Sequence, residues 1–163
     1  NKFIVDKLYL DSITDGLKII DGQEVPSKLV ELYDENRENN HRPHFLSDWL
    51  HHSAGRVLVL IDENGFCHGF GRIRPCLLKN GTGWRIGPLI ADTPPLAEVL
   101  LRRLVGEHSG VVLLDSPGLN QYSKYLLERL GFNEVSNTFR MYKGNKHKGS
   151  LNQVYGLTCL ELG

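Results

Sequence analysis

The 163-residue sequence predicts a mixed α/β domain with a mostly antiparallel sheet of about six or seven strands and helices on both faces. Two observations carry this prediction: three strand patterns follow one another across short turns, and helix and strand patterns then alternate. Apolar residues make up 40% of the chain and charged residues 23%, as in ordinary globular proteins. The length fits one domain, so we expect residues 1–163 to fold around one core.

The N-terminal third begins with a short alternating segment, Gly16 to Ile20, which predicts a strand ending at the turn dipeptide Asp21-Gly22. Two amphipathic helices are predicted next, because apolar residues recur at intervals of three and four. The first begins near Pro26 and the second follows Pro43. Their apolar faces contain Leu29, Val30, Leu32 and Tyr33 in the first helix and Phe45, Leu46, Trp49 and Leu50 in the second.

Three strands are predicted in the centre of the chain: Arg56 to Ile61, Phe66 to Leu78, and Trp84 to Ala91. The turn Asp62 to Gly65 contains Asn-Gly, the strongest short hairpin signal. Asn80-Gly81 marks a second turn. The three segments therefore predict an antiparallel meander.

The rest of the sequence alternates between helix and strand patterns. Helices are predicted from about Pro94 to Glu107 and from Asn120 to Leu130, with an apolar strand from Val111 to Leu114 between them. Two further strands are predicted around Val135 to Tyr142 and Val154 to Leu160. An antiparallel half thus leads into a parallel crossover.

Composition argues against several function classes. Nineteen basic and nineteen acidic residues cancel, so the sequence predicts neither a nucleic-acid partner nor an anionic membrane surface. The three cysteines, Cys67, Cys76 and Cys159, are odd in number and lack zinc-site spacing, so we expect free thiols in the cytoplasm. Four histidines between residues 41 and 52 match no metal motif, and no metal is expected. The apolar runs are too short to span a membrane.

Two segments resemble the core of the GNAT acyltransferase superfamily. The first is the strand Trp84 to Ala91 running into the next helix, and the second begins at Asn120 and ends in Leu130-Gly131-Phe132. The resemblance is closest to the second domain of tandem GNAT proteins, so a GNAT domain is expected to precede this one in a longer chain. The supporting motifs are Arg74-Pro75, Ile86-Gly87-Pro88, Arg140-Met141-Tyr142 and Val154-Tyr155-Gly156-Leu157.

The resemblance implies that acetyl-CoA is the cosubstrate and that two splayed strands hold it. The pantetheine arm would pair with strand main chain that has no neighbouring strand, and the pyrophosphate would sit at a helix N-terminus. That loop has no glycine here, and Thr93-Pro94 also matches an ordinary helix cap. The expected cofactor-binding residues are Leu89, Ile90, Ala91, Thr93, Leu96, Ala97, Glu98, Val99, Asn120, Ser123 and Lys124.

The expected catalytic residues are Asp115 and Arg74. Asp115 follows a strand end, where it could accept a proton from an ammonium group or only cap a turn. Arg72 and Arg74 alternate on one side of a strand, where one could anchor an acidic group on the acceptor or lie on a solvated face. The family's tyrosine acid is replaced by Leu127. Tyr122 and Tyr125 point away from the face of Asn120 and are expected to be surface or packing aromatics.

These features predict an N-acetyltransferase that moves an acetyl group from acetyl-CoA to an amine of a small molecule or peptide by direct attack. The alternative is a non-catalytic CoA-binding or regulatory module of a tandem protein. Leu127 and the glycine-free loop favour the module, whereas the order of elements and Asn120 favour the enzyme.

Overall fold

The computed structural model describes residues 11–38, 40–106, 108–145 and 149–160. The helices with their bounds are α1 Ser27–Glu38, α2 Pro43–His51, α3 Pro94–Val105 and α4 Gln121–Arg129, with short 3₁₀ turns at Gly22–Glu24 and Leu151–Gln153. The strands are β1 Leu17–Asp21, β2 Arg56–Asp62, β3 Cys67–Leu78, β4 Gly81–Ala91, β5 Val112–Leu114 and β6 Val154–Gly156.

These strands form one six-stranded sheet in the order β1-β2-β3-β4-β5, with β6 also pairing with β4. All pairs are antiparallel except β4 with β5, which run parallel. The predicted meander is confirmed, as is the change from an antiparallel to a parallel connection. The crossover through α3 makes the parallel pair possible, because parallel neighbours need a long connection.

Each face of the sheet is covered by one helix pair, which confirms the predicted arrangement. Helices α1 and α2 pack on one face through residues such as Val30 and Leu46, against Val59 and Phe70 of the sheet. Helices α3 and α4 pack on the other face. Side chains alternate between the two faces along each strand, so consecutive apolar residues of β2 enter different cores.

One strand prediction was wrong, and another was wrong at its end. Residues 135–142 form no strand, although all of them lie in the described range. Val135, Phe139 and Met141 are 83%, 92% and 90% exposed, so their alternating pattern meets neither a partner strand nor a core. The last strand ends at Gly156 rather than Leu160.

Some predictions lie partly outside the described residues, including the end of the third helix at Glu107. Within the described ranges, no helix is both long enough and apolar enough to cross a membrane.

Candidate functional site

Strands β4 and β5 separate halfway along β4. They pair from Trp84 to Ile86, and β5 ends at Leu114 while β4 continues to Ala91. We call the space beside β4 from Gly87 to Ala91, on the β5 side, the β4 lane. Such a divergence was expected from the resemblance to splayed-strand acyltransferases.

The β4 lane is filled by the chain's own strand β6. Leu89 pairs with Gly156 and Ile90 with Val154. Because Leu89 and Ile90 are paired, the prediction that they form a free strand edge was wrong for these two residues, and Ala91 beside them is fully buried. The fit is close, because a Cβ added at Gly87 would lie 2.1 Å from the carbonyl oxygen of Leu157. While β6 is in place, this edge cannot pair with another extended group.

Side chains of helix α4 hold β6 in the lane. The Asn120 Nδ2 donates to the carbonyl oxygen of Val154 at 2.7 Å, and the Ser123 Oγ donates to that of Tyr155 at 3.1 Å. Asn120 also caps α4, because its side chain accepts a hydrogen bond from the Ser123 N–H. Asn120 and Ser123 are thus brought to the lane, whereas Lys124 is exposed.

The start of helix α3 offers fewer hydrogen-bond donors than expected. Thr93 occupies the N-cap position with Pro94 at the first helical position, but its side chain makes no capping hydrogen bond. The Ala97 N–H already donates to the Thr93 carbonyl oxygen at 3.1 Å. The N–H groups of Glu98 and Val99 lie beyond the first turn, where carbonyl oxygens of the helix accept them. The Glu98 side chain is buried and ion-paired with Arg102 and Arg129, and Val99 lies in the core. The N–H groups of Thr93 and Leu96 are the candidates that remain.

A polar network that sequence reasoning missed lies beside this helix start. The Asp92 carboxylate accepts hydrogen bonds from Tyr33 at 2.7 Å and Arg37 at 2.7 Å, and it contacts the His68 ring at 2.8 Å. The other ring nitrogen of His68 lies 2.8 Å from Asp62. Burial opposes the charge of Asp92, but these three partners hold the pKa of Asp92 below its usual value.

The two predicted catalytic residues lie on one face of the sheet. Asp115 follows the end of β5 and accepts a hydrogen bond from Arg85 at 2.6 Å. Arg85 stands directly opposite Arg74 in the β3–β4 ladder, and such partners have neighbouring side chains on one face. Asp115 also helps to hold the end of β6, because its carbonyl oxygen accepts a hydrogen bond from the Leu157 N–H at 2.7 Å.

Aromatic residues around the lane differ in their exposure. Tyr122 and Tyr125 are 57% and 69% exposed, which confirms that they point away from the Asn120 face. Leu127 packs against the core. The hydroxyl of Tyr155, which sequence reasoning missed, is buried without a hydrogen-bond partner in the described chain. Trp49 was placed on a helix face but its role was also missed: its Nε1 donates to the Gly87 carbonyl oxygen at 3.3 Å.

Within the described ranges, no three or more His, Cys, Asp or Glu side chains form a cluster able to hold a metal ion. The histidines that are close in sequence have separate partners. His41 contacts Glu35 at 3.0 Å, and His51 contacts the Ser47 carbonyl oxygen at 2.8 Å.

A sequence model of the acetyltransferase (GNAT) domain matches residues 30–156, from α1 through β6. The chain belongs to the GNAT acetyltransferase family. A curated relative, the holothin acyltransferase of Pseudoalteromonas sp. (strain SANK 73390), is 27% identical over 151 residues. The match covers 91% of this chain but only 49% of the relative, so the chain spans about half the length of that protein.

Solved acetyltransferase structures share the fold. The aminoglycoside N-acetyltransferase AAC(6')-Iy in complex with CoA has a TM-score of 0.58 at 11% identity, covering 79% of this chain and 94% of that one. An aminoglycoside acetyltransferase from an uncultured soil metagenomic sample, in complex with sisomicin, has a TM-score of 0.57 at 16% identity, covering 82% and 99%. At these identities the likeness establishes the mixed six-stranded fold of this GNAT domain.

Proposed function

We propose that this GNAT domain transfers an acetyl group from acetyl-CoA to an amine, with the donor bound in the β4 lane. The observation that carries the proposal is the lane itself. Strand β4 extends beyond the end of β5, and main-chain and side-chain groups in the lane already bind the extended segment β6. Family membership and the acyltransferase relative support the same chemistry. Acetyl-CoA would supply the acetyl group as an activated thioester.

The lane fits an amide-containing arm only when β6 is displaced. The main chain of Leu89 and Ile90 would then be free, and the Asn120 and Ser123 side chains would lose their β6 carbonyl partners. Displacement exposes Val154 and Tyr155, each 1% exposed. Exposing two such side chains costs on the order of 3–6 kcal/mol, and the apparent affinity falls with the small population of the open form. We therefore expect weak binding of acetyl-CoA.

Asp115 is the group that we assign as general base. Its Oδ2 is held by Arg85 at 2.6 Å, while no described residue donates a hydrogen bond to Oδ1. Arg85 thus positions the carboxylate, and Oδ1 could take a proton from the ammonium group of the acceptor, which leaves a neutral amine to attack the thioester. The Leu157 N–H on the Asp115 carbonyl ties this residue to the end of β6, so opening of the lane also frees the surroundings of the base.

The test is release of the CoA thiol from acetyl-CoA across a panel of amines, with the acetyl-CoA affinity measured separately by calorimetry. We expect Asp115→Asn to lower kcat/KM by roughly a hundredfold to ten-thousandfold, the range of one acid–base group, with little change in acetyl-CoA affinity. Asp15→Asn, at an exposed aspartate before β1, is the matched control. Binding of acetyl-CoA without thiol release for any amine would contradict catalysis and leave the non-catalytic module. Absence of binding would contradict both.

A further inference from the structure

Arg72 is a buried cation without an anionic partner. Its side chain is 1% exposed, and its Nη2 donates to the Ala54 carbonyl oxygen at 3.2 Å. The Nε and Nη1 atoms are buried and have no partner within the described ranges. Burial and then the nearby Arg74 charge lower the pKa of Arg72 to about 10, so the group is still charged at neutral pH. Buried arginines are normally paired, because an isolated buried charge is strongly unfavourable.

Arg74 adds a second cation on the same face. Its Nε is also buried without a partner in the described chain. The guanidinium carbons of Arg72 and Arg74 lie 4.5 Å and 5.2 Å from the ring centroid of Trp49. Because the Trp49 Nε1 bonds to the Gly87 carbonyl oxygen, the two cations sit beside the start of the β4 lane. The indole ring attracts both cations but satisfies none of their N–H groups.

The charges around this pair do not balance. Arg85 lies opposite Arg74, and the neighbouring carboxylate of Asp115 is already bound to Arg85. Within the described residues, neither Arg72 nor Arg74 forms an ion pair with a carboxylate. The loop between α2 and β2 packs directly on the pair: a Cβ added at Gly55 would lie 3.1 Å from the Arg72 Nη2, and residues 51–55 are exposed. An anion that approaches the pair from this side must pass this exposed loop.

We infer that Arg72 and Arg74, against the Trp49 ring, form a binding site for a carboxylate group, so that the acceptor is an amine that also carries a carboxylate. A planar guanidinium group can bind a planar carboxylate through two parallel N–H···O hydrogen bonds. The carboxylate on the acceptor rests on the proposed function. The carboxylate site itself does not.

Binding is tested by tryptophan fluorescence. The chain has two tryptophans, so a Trp84→Phe protein reports on Trp49 alone. The probes are ω-amino acids from glycine to 6-aminohexanoate. Two analogues of 4-aminobutyrate serve as controls: butylamine, which has a methyl group in place of the carboxylate, and 3-aminopropylphosphonate, which has a phosphonate there. We expect saturable changes with carboxylates and none with butylamine. Arg74→Gln should weaken carboxylate binding about tenfold to a hundredfold, the scale of one charged hydrogen-bond donor. Arg103→Gln, at an exposed residue of α3, should leave it unchanged.

Transfer provides the second readout. Arg74→Gln should raise KM for the best ω-amino acid without lowering kcat. It should leave KM unchanged for the alkylamine of the same length that lacks the carboxylate. No fluorescence response to any carboxylate, or tighter binding of the phosphonate, would overturn the carboxylate site. Carboxylate binding that depends on Arg74 without thiol release for any amine would uphold the site and contradict the proposed transfer instead.

Discussion

Replacement of Asn120 by Ala should show that this residue locks β6 into the sheet. The change removes the hydrogen bond to the Val154 carbonyl oxygen at 2.7 Å and the cap on the Ser123 N–H at 3.1 Å. Loss of an N-cap costs about 1 kcal/mol, and a buried acceptor left without a donor costs about 1–3 kcal/mol. We therefore expect Asn120→Ala to lower the free energy of unfolding by about 2–4 kcal/mol.

Asn120→Ser is the matched variant, because Ser keeps a capping oxygen but lacks the amide donor. Asn120→Ser should lose only the contribution of the hydrogen bond to β6, which is about 1–3 kcal/mol of the free energy of unfolding. Urea denaturation measures both losses, and hydrogen exchange at the Leu157 amide, bonded to the Asp115 carbonyl, measures detachment of β6. A loss below about 1 kcal/mol in Asn120→Ala, with unchanged exchange at Leu157, would refute the reasoning, because it would mean that Asn120 acts only as a cap.

Three further outcomes follow from single contacts. His68→Gln should flatten the pH dependence of the melting temperature: hydrogen bonds to Asp62 raise the pKa of His68 despite some burial, so stabilisation by the charged ring is present below about 6.5 and is lost as pH rises through the raised pKa. Gly87→Ala should lower the free energy of unfolding, measured by urea denaturation, by about 1–3 kcal/mol, because the new Cβ would meet the Leu157 carbonyl oxygen just after β6. Gly118→Ala, with open space around it, should lower it little. Tyr155→Phe should raise the free energy of unfolding by about 1 kcal/mol, because it removes a buried hydroxyl that has no partner in the described chain, and a loss of stability would reveal a partner.

The meander and the helix pairs could be predicted because their signals are local. The Asn-Gly turn sets the β2–β3 hairpin, and the three- and four-residue spacing in α1 and α2 is that of helices packed on one face. The strand prediction for residues 135–142 was wrong because a strand depends on contacts that are not local. Alternation shows that a strand is possible, but a strand also needs a partner strand, and residues 135–142 pair with none in the described chain.

The site was predictable in its elements but not in its contacts. Asp115 and Asn120 were chosen as candidates because strand ends and helix starts are marked in the sequence, and Arg74 because it alternates with Arg72 along a strand. The Arg85 partner of Asp115 could have been found by pairing Arg74 across the β3–β4 turn. Burial of Arg72 without an anion, and occupation of the lane by β6, depend on contacts between distant segments, and no local pattern reports these.

Hydrogen exchange of β6 with and without acetyl-CoA tests the central claim most directly. If the acetyl donor takes the β4 lane, the amides of residues 154–157 should exchange faster in the bound protein, because their partners Leu89 and Ile90 and the Asp115 carbonyl are released. Mass spectrometry of peptides covering this segment gives the answer at saturating acetyl-CoA. Acetyl-CoA bound at saturation with unchanged or slower exchange in β6 would contradict a donor site in the β4 lane.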